Sequence, residues 1–300
     1  MPDAAAAFRA FEIPHVAVFE AGLGGLTRLR ISSALSEAGI YLQGAHLDHF
    51  RPVDAAPLLF LSDESLFAPG KPIRGGVPVC FPWFGPHPQD SALPAHGFAR
   101  ISEWEVESLT GSMTAGVTVV FRLTSNAETR ALWPHDFVAR LRIEATEQLV
   151  MTLEVENSSA TPIQFEEALH TYFEVSDVRQ VSVTGLEGAA YFDKTDGMKA
   201  KHLSREPLLV VLETDRIFPA NQARCIIDDP GSARRIIVEK SGSNSTVVWN
   251  PWVAKAAALP DFGDDEWPRM LCIETANVTP DAVTLAPGAR HAMSAIIRLA

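Results

Sequence analysis

Residues 117–123 read Val-Thr-Val-Val-Phe-Arg-Leu, residues 137–144 Phe-Val-Ala-Arg-Leu-Arg-Ile-Glu, and residues 149–156 Leu-Val-Met-Thr-Leu-Glu-Val-Glu. In each, apolar side chains recur at every second position: Val117, Val119, Phe121 and Leu123, then Phe137, Ala139, Leu141 and Ile143, then Leu149, Met151, Leu153 and Val155. Successive side chains of a strand point to opposite faces, so a period of two gives each segment a buried face and a wetter one. Shorter strands are predicted at Val16–Glu20, Arg234–Lys240, Thr246–Trp249, Met270–Glu274 and His291–Leu299. Helical patterns are confined to the alanine-rich start and to Trp252–Leu259. Many strands, frequent turn signals and few helices predict an all-β fold, a large antiparallel β-sandwich. No linker, composition break or fixed-period repeat divides the chain, so 1–300 is expected to be one domain, with residues 1–12 as a short N-terminal extension.

The charge balance, 25 Lys+Arg against 37 Asp+Glu, gives a net charge of −12. That excess argues against nucleic acid and against an anionic membrane surface as partners. Cys80, Cys225 and Cys272 are far apart, odd in number and contain no Cys-x-x-Cys pair, which fits a reducing compartment. The N-terminus lacks the basic and apolar regions of a signal peptide, and no apolar run approaches the ~18 residues of a membrane helix. A soluble, cytoplasmic protein is expected, with a monomer as the default state. An anionic substrate would need a local basic pocket on this acidic chain.

The segment from Pro69 to Pro94 holds seven of the 21 prolines, yet also Val77, Val79, Phe81, Trp83 and Phe84. Proline removes a backbone donor and fixes φ, so this is expected to be a rigid, apolar loop, of the kind that forms a pocket wall. Arg74 and Arg100 flank glycines or small residues that would let a ligand approach the backbone, and an arginine fork suits phosphate or carboxylate. Surface ion pairing is the bland alternative for both. His170 lies in Phe165-Glu166-Glu167-Ala168-Leu169-His170-Thr171-Tyr172-Phe173, which reads as a strand with His170, Glu166, Ala168 and Tyr172 on one face. Glu274 ends the apolar run Met270–Ile273, where an unpaired carboxylate is costly. A histidine and a glutamate brought together would supply an acid and a base of different intrinsic pKa. His46, Asp48 and His49 make a poor metal set, because alternation turns His49 away from the other two. His135-Asp136 and Asp264-Asp265-Glu266 are expected in solvated loops. Gly22-Leu23-Gly24-Gly25 lacks dinucleotide spacing, and no Gly-x-Ser-x-Gly elbow is present.

Five motifs in order carry a resemblance: Lys71–Phe84 with its Arg-Gly-Gly-x-Pro core, Leu93–Arg100 (Leu-Pro-Ala-His-Gly-Phe-Ala-Arg), Leu169–Phe173 (Leu-His-Thr-Tyr-Phe), Val248–Trp252 (Val-Trp-Asn-Pro-Trp) and Cys272–Thr275. From about Gly44 to the C-terminus the chain resembles the glucose-6-phosphate 1-epimerases, or hexose-6-phosphate mutarotases, of the aldose 1-epimerase superfamily. The resemblance implies a galactose mutarotase-like sandwich that interconverts the α and β anomers of a hexose 6-phosphate through the open-chain aldehyde. It implies His170 as the general acid at the ring oxygen and Glu274 as the general base at the anomeric hydroxyl. Substrate contacts implied are Arg74 and Arg100 for the 6-phosphate, His96 and Asp193 for the sugar, and Trp249 and Asn250 as pocket wall. No metal or organic cofactor is expected. Ala95 stands where some relatives carry Gln, which bears on sugar preference. A mutarotase for unphosphorylated aldoses and a non-catalytic carbohydrate-binding sandwich remain as alternatives; the two arginines favour the phosphate.

Overall fold

The computed structural model describes residues 4–87 and 89–300. The three long alternating segments form the strands Gly116–Thr124, Phe137–Ala145 and Leu149–Asn157, adjacent in a nine-stranded antiparallel sheet. Its order runs from Leu208–Leu209 through Ser182–Thr184, Cys225–Asp229, Arg234–Ser241 and Arg290–Leu299 to those three, ending at Glu105–Ser112. The registers pair Phe121 with Leu141, Leu141 with Leu153 and Leu153 with Met293, so one buried row crosses four strands. On the other face the row Arg122, Arg140 and Glu154 meets water, and Arg140 pairs with Glu107 at 3.1 Å. Each of these registers is fixed because a one-residue slip would expose the whole buried row.

An eight-stranded antiparallel sheet packs its inner face on the same core, which joins Ile236, Val238 and Met293 of the first sheet to Val248, Leu271 and Ile273 of the second. Its order is Lys199–His202, Ala190–Asp193, Thr214–Phe218, Ser245–Asn250, Met270–Asn277, Glu167–Leu169 and Val79–Cys80, with Tyr172–Glu174 also paired to Met270–Asn277. Four N-terminal strands, Ala17–Ala21, Thr27–Ser32, Ser36–Tyr41 and His46–Pro52, make a further sheet. The antiparallel sandwich read from period two is therefore the fold. Among the described residues no helix is long and apolar enough to cross a membrane.

Several local expectations change. Part of residues 1–12 lies outside the described residues, but Phe8 packs on Phe19 with ring centroids 5.2 Å apart, so the described part is tied to the core. The helix Ala127–Leu132 was missed; its Asn126 side chain accepts from Thr129 N (2.9 Å), and the Thr129 hydroxyl accepts from Asn126 N (2.8 Å). Glu266, expected in solvent, is buried and accepts from Ser62 Oγ (2.6 Å), Asp63 N (2.8 Å) and Gly263 N (2.9 Å); Asp264 and Asp265 are exposed as read. Three backbone and hydroxyl donors outweigh the cost of burying that carboxylate.

Candidate active site

Val79–Cys80, Glu167–Leu169 and Met270–Asn277 lie side by side at one edge of the eight-stranded sheet. Met270–Asn277 is buried along its whole length, because it is covered on both faces. Alternation puts Leu271 and Ile273 on one face of the strand and Cys272 and Glu274 on the other. Leu169 pairs with Thr275 and Tyr172 with Cys272 in a single register, which sets His170 across from Glu274. The ladder lapses at His170 and Thr171: His170 N donates instead to Pro78 O (3.0 Å), and Tyr172 N to Gly76 O (2.9 Å). The uninterrupted strand expected at 165–173 is thus broken at the histidine, while its partition of faces survives. His170 and Tyr172 stack at 4.8 Å and 18°.

His170 Nε2 lies 3.3 Å from Glu274 Oε1. Glu274 is 1% exposed and His170 7%, and both His170 Nδ1 and Glu274 Oε2 lack a protein partner. Burial holds the Glu274 carboxyl well above its ordinary 4.5, with Lys194 opposing and Asp215 reinforcing the shift. Burial, then the positive charges of Arg100 and Arg74, holds the His170 imidazole well below 6.5. Both shifts disfavour the charged form, so the pair is built to share one proton and can take or give one at either member.

The pair opens on a cavity of about 410 Å³ whose lining includes Arg74, Phe84, Ala95, His96, Arg100, Tyr172, Lys194, Asp215 and Trp249. Larger clefts of about 640 and 670 Å³ lie elsewhere; the first is lined by charges such as Arg28 and Asp48 that pair with each other, and the second by no lysine or arginine. The proline-rich segment supplies one wall, as expected of it; Pro88 is outside the described residues. Gly85 lines the cavity and has open space where a Cβ would stand, whereas Gly76, and Gly97 beyond the segment, serve chain packing. Gly76 (φ 57°) would set a Cβ 2.2 Å from Leu47 O, and Gly97 (φ 75°) one 1.9 Å from Phe81 O.

Charge in the cavity is unevenly matched. Arg74 forms a two-oxygen pair with Asp261, with Nη2 at 3.0 and 3.1 Å from the carboxylate oxygens, and donates to Tyr172 Oη at 3.1 Å. Lys194 Nζ lies 3.0 Å from Asp215 and 5.2 Å from the Phe84 ring centre. Arg100 donates to Ala95 O (2.8 Å), its Nε is buried without a partner, and among the described residues it has no carboxylate. Desolvation and then repulsion by Arg74 lower its pKa. His96, also desolvated and held well below 6.5, lies edge-on to Phe84 at 4.7 Å and contacts Cys80 Sγ at 3.4 Å.

Of the residues singled out in sequence, the cavity gathers Arg74, His96, Arg100, His170, Trp249 and Glu274. It does not gather Asp193 or Asn250. Asp193 accepts from Thr195 N and Oγ and pairs with Lys201 at 2.8 Å, capping the short turn that follows its strand. Asn250 is fully buried and donates to the carbonyls of Trp267 and Met270. Lys194, Asp215, Tyr172 and Asp261 were missed. The usable signal for Asp215 was a charge inside the strand Thr214–Phe218; for Tyr172 it was its place two residues from His170. Of His46, Asp48 and His49, Asp48 is taken up by Arg28 at 2.9 and 3.0 Å.

A family model for aldose 1-epimerase matches residues 27–298. A protein of Escherichia coli K12, provisionally named glucose-6-phosphate 1-epimerase, is 38% identical over 242 residues, covering 80% of this chain and 79% of that one. One from Cenchrus ciliaris with the same provisional name is 35% identical over 273 residues, covering 86% and 81%. The crystal structure of a provisional mutarotase from Salmonella typhimurium superposes with a TM-score of 0.90 at 31% identity, over 96% of this chain and 95% of that one.

Proposed function

Because the chain belongs to the aldose 1-epimerase family, we propose that it interconverts the α and β anomers of a hexose 6-phosphate, with glucose 6-phosphate as the reference substrate. What carries this reading is a half-buried guanidinium, Arg100, with no carboxylate partner among the described residues and a buried, unpartnered Nε, in the same cavity as the facing pair His170 and Glu274. A neutral sugar has no use for that charge, whereas a phosphate dianion matches it.

Glu274 takes the proton of the anomeric hydroxyl while His170 gives one to the ring oxygen, and the bond from the anomeric carbon to that oxygen breaks. The product is the open-chain aldehyde. Rotation about the adjoining carbon–carbon bond presents the other carbonyl face, and closure returns both protons. No net proton is exchanged with solvent, which is why one proton shared by the pair suffices. Phosphate on Arg100 also neutralises one of the three cations, Arg100, Arg74 and Lys194, that depress His170, so substrate binding favours the protonated imidazole that donates. Positioned acid and base groups of this kind each contribute about 10²- to 10⁴-fold.

Around the pair, the Tyr172 hydroxyl accepts from Arg74, which leaves its own proton for a sugar oxygen. His96, Asp215 and Lys194 are further polar contacts for the ring, the aldehyde chain or the phosphate, and Trp249 offers its indole to the sugar's apolar face. Asp193 and Asn250 have structural roles in this account. All these residues lie between positions 74 and 274, which supports a single catalytic domain. Three free, buried cysteines support a cytoplasmic location. The test is the ratio of kcat/KM for glucose 6-phosphate to that for glucose; a ratio near one would remove the phosphate from the account and favour an unphosphorylated aldose.

A further inference from the structure

Arg74 enters the cavity with its charge already answered. Asp261 Oδ1 accepts from Nε at 3.2 Å and from Nη2 at 3.0 Å, and Oδ2 accepts from Nη2 at 3.1 Å. Nη1 holds Tyr172 Oη, whose ring lies on His170. Asp261 is itself buried and is not among the residues that line the cavity. Its position is fixed from two sides. Glu266 fastens the segment after Asp261 to Ser62 and Asp63, and the chain next to those residues holds Arg74 in turn, through Ser62 N to Arg74 O (3.0 Å) and Arg74 N to Ser65 Oγ (2.8 Å).

A neutral acceptor could aim the guanidinium equally well. A carboxylate also cancels most of a unit charge, and it does so one residue away from the bound ligand. In a reaction whose substrate and product carry the same phosphate, extra phosphate affinity is uniform binding. It lowers KM without raising kcat and slows release.

Resting on the phosphosugar reading, we propose that Asp261 is a specificity-determining residue that sets how much positive charge Arg74 presents to the cavity, so that Arg100 carries most of the recognition of a dianionic group. Asp261 touches neither the sugar nor the reacting atoms; it acts through Arg74.

The experiment compares wild type with Asp261→Asn on glucose 6-phosphate and on glucose, by anomer exchange at low and high salt. An amide oxygen at Oδ1 keeps two of the three bonds and removes the charge. The expected result is a KM for glucose 6-phosphate lower by about 3- to 10-fold, as for loss of a nearby like charge in a partly screened site. The KM for glucose stays unchanged, kcat does not rise, and the gain shrinks with salt. In an Arg74→Gln background the Asn substitution has no effect, because its route is gone. An unchanged KM for glucose 6-phosphate, a rise shared by both sugars, or an effect that survives without Arg74 overturns the proposal. Failure of the phosphosugar reading is visible separately, as a wild-type enzyme without preference for glucose 6-phosphate. Should the Asn variant not fold, Asp261→Glu, which keeps the charge, is expected to hold the ratio of the two KM values within about twofold of wild type, and a tenfold change would contradict the proposal.

Discussion

Replacing Arg100 with methionine isolates the charge on which phosphate recognition is argued to rest. Methionine nearly matches the length of the arginine stem and adapts to irregular space, so the change removes charge more than volume. A hexose phosphate carries about −1.5 to −2 at neutral pH. Seated at about 5 Å from the guanidinium with an effective dielectric constant of about 20 to 40, it is attracted by roughly 3 to 7 kcal/mol before desolvation is subtracted. Truncation of one member of a desolvated charge pair costs about 2 to 5 kcal/mol, and a middle value of ~3 kcal/mol corresponds to roughly 100-fold. We therefore expect kcat/KM for glucose 6-phosphate to fall about 100-fold, with that for glucose changed by no more than a few-fold. In the free protein Arg100 is desolvated, repelled by Arg74 and left with an unpartnered Nε, so the thermal midpoint should not fall. Exchange spectroscopy on both sugars and a melting curve supply the numbers. Equal losses on both sugars would refute phosphate recognition by Arg100, and so would undiminished turnover of the phosphosugar.

Glu274→Gln should lower turnover by about 10²- to 10⁴-fold and, by removing a buried ionisable group whose Oε2 has no partner, raise the denaturation midpoint; loss of both activity and stability would contradict the assignment. Activity should follow a bell-shaped pH curve set by the pair: it falls on the acid side, below 6.5, where the pair takes up a second proton, and on the alkaline side, above 4.5, where the pair gives up its one proton. An NMR titration that finds the His170 imidazole protonated at pH values above 6.5 in the free protein would reverse that order. Asp193→Ala should leave kcat/KM unchanged while costing about 0.5–2 kcal/mol in urea denaturation, since the side chain caps a turn and holds Lys201; a selective loss of turnover would return Asp193 to the site.

Strands with one wet face could be read because alternation is visible only where the two faces differ. Gly116–Thr124, Phe137–Ala145 and Leu149–Asn157 were found to within a residue or two on that ground. Met270–Asn277 is buried on both faces, so its pattern carries no period and its catalytic side had to come from a resemblance. His170 and Glu274 were nameable separately, but their meeting depends on a register across more than 100 residues. Asp193 and Lys194 show the limit most clearly. The two are neighbours, only Lys194 lines the cavity, and nothing in the sequence tells which of two adjacent charged side chains is taken up by a turn. Likewise, Arg74 looked free for phosphate because its partner Asp261 is 187 positions away.

The central claim, that the His170–Glu274 pair opens and closes a phosphosugar ring, is met most directly by magnetisation exchange between the α and β anomers of glucose 6-phosphate. The account predicts exchange well above the spontaneous rate with the wild-type protein, returning close to that rate with His170→Asn. Exchange no faster with the wild-type protein than in buffer, or undiminished in the His170→Asn variant, would contradict it.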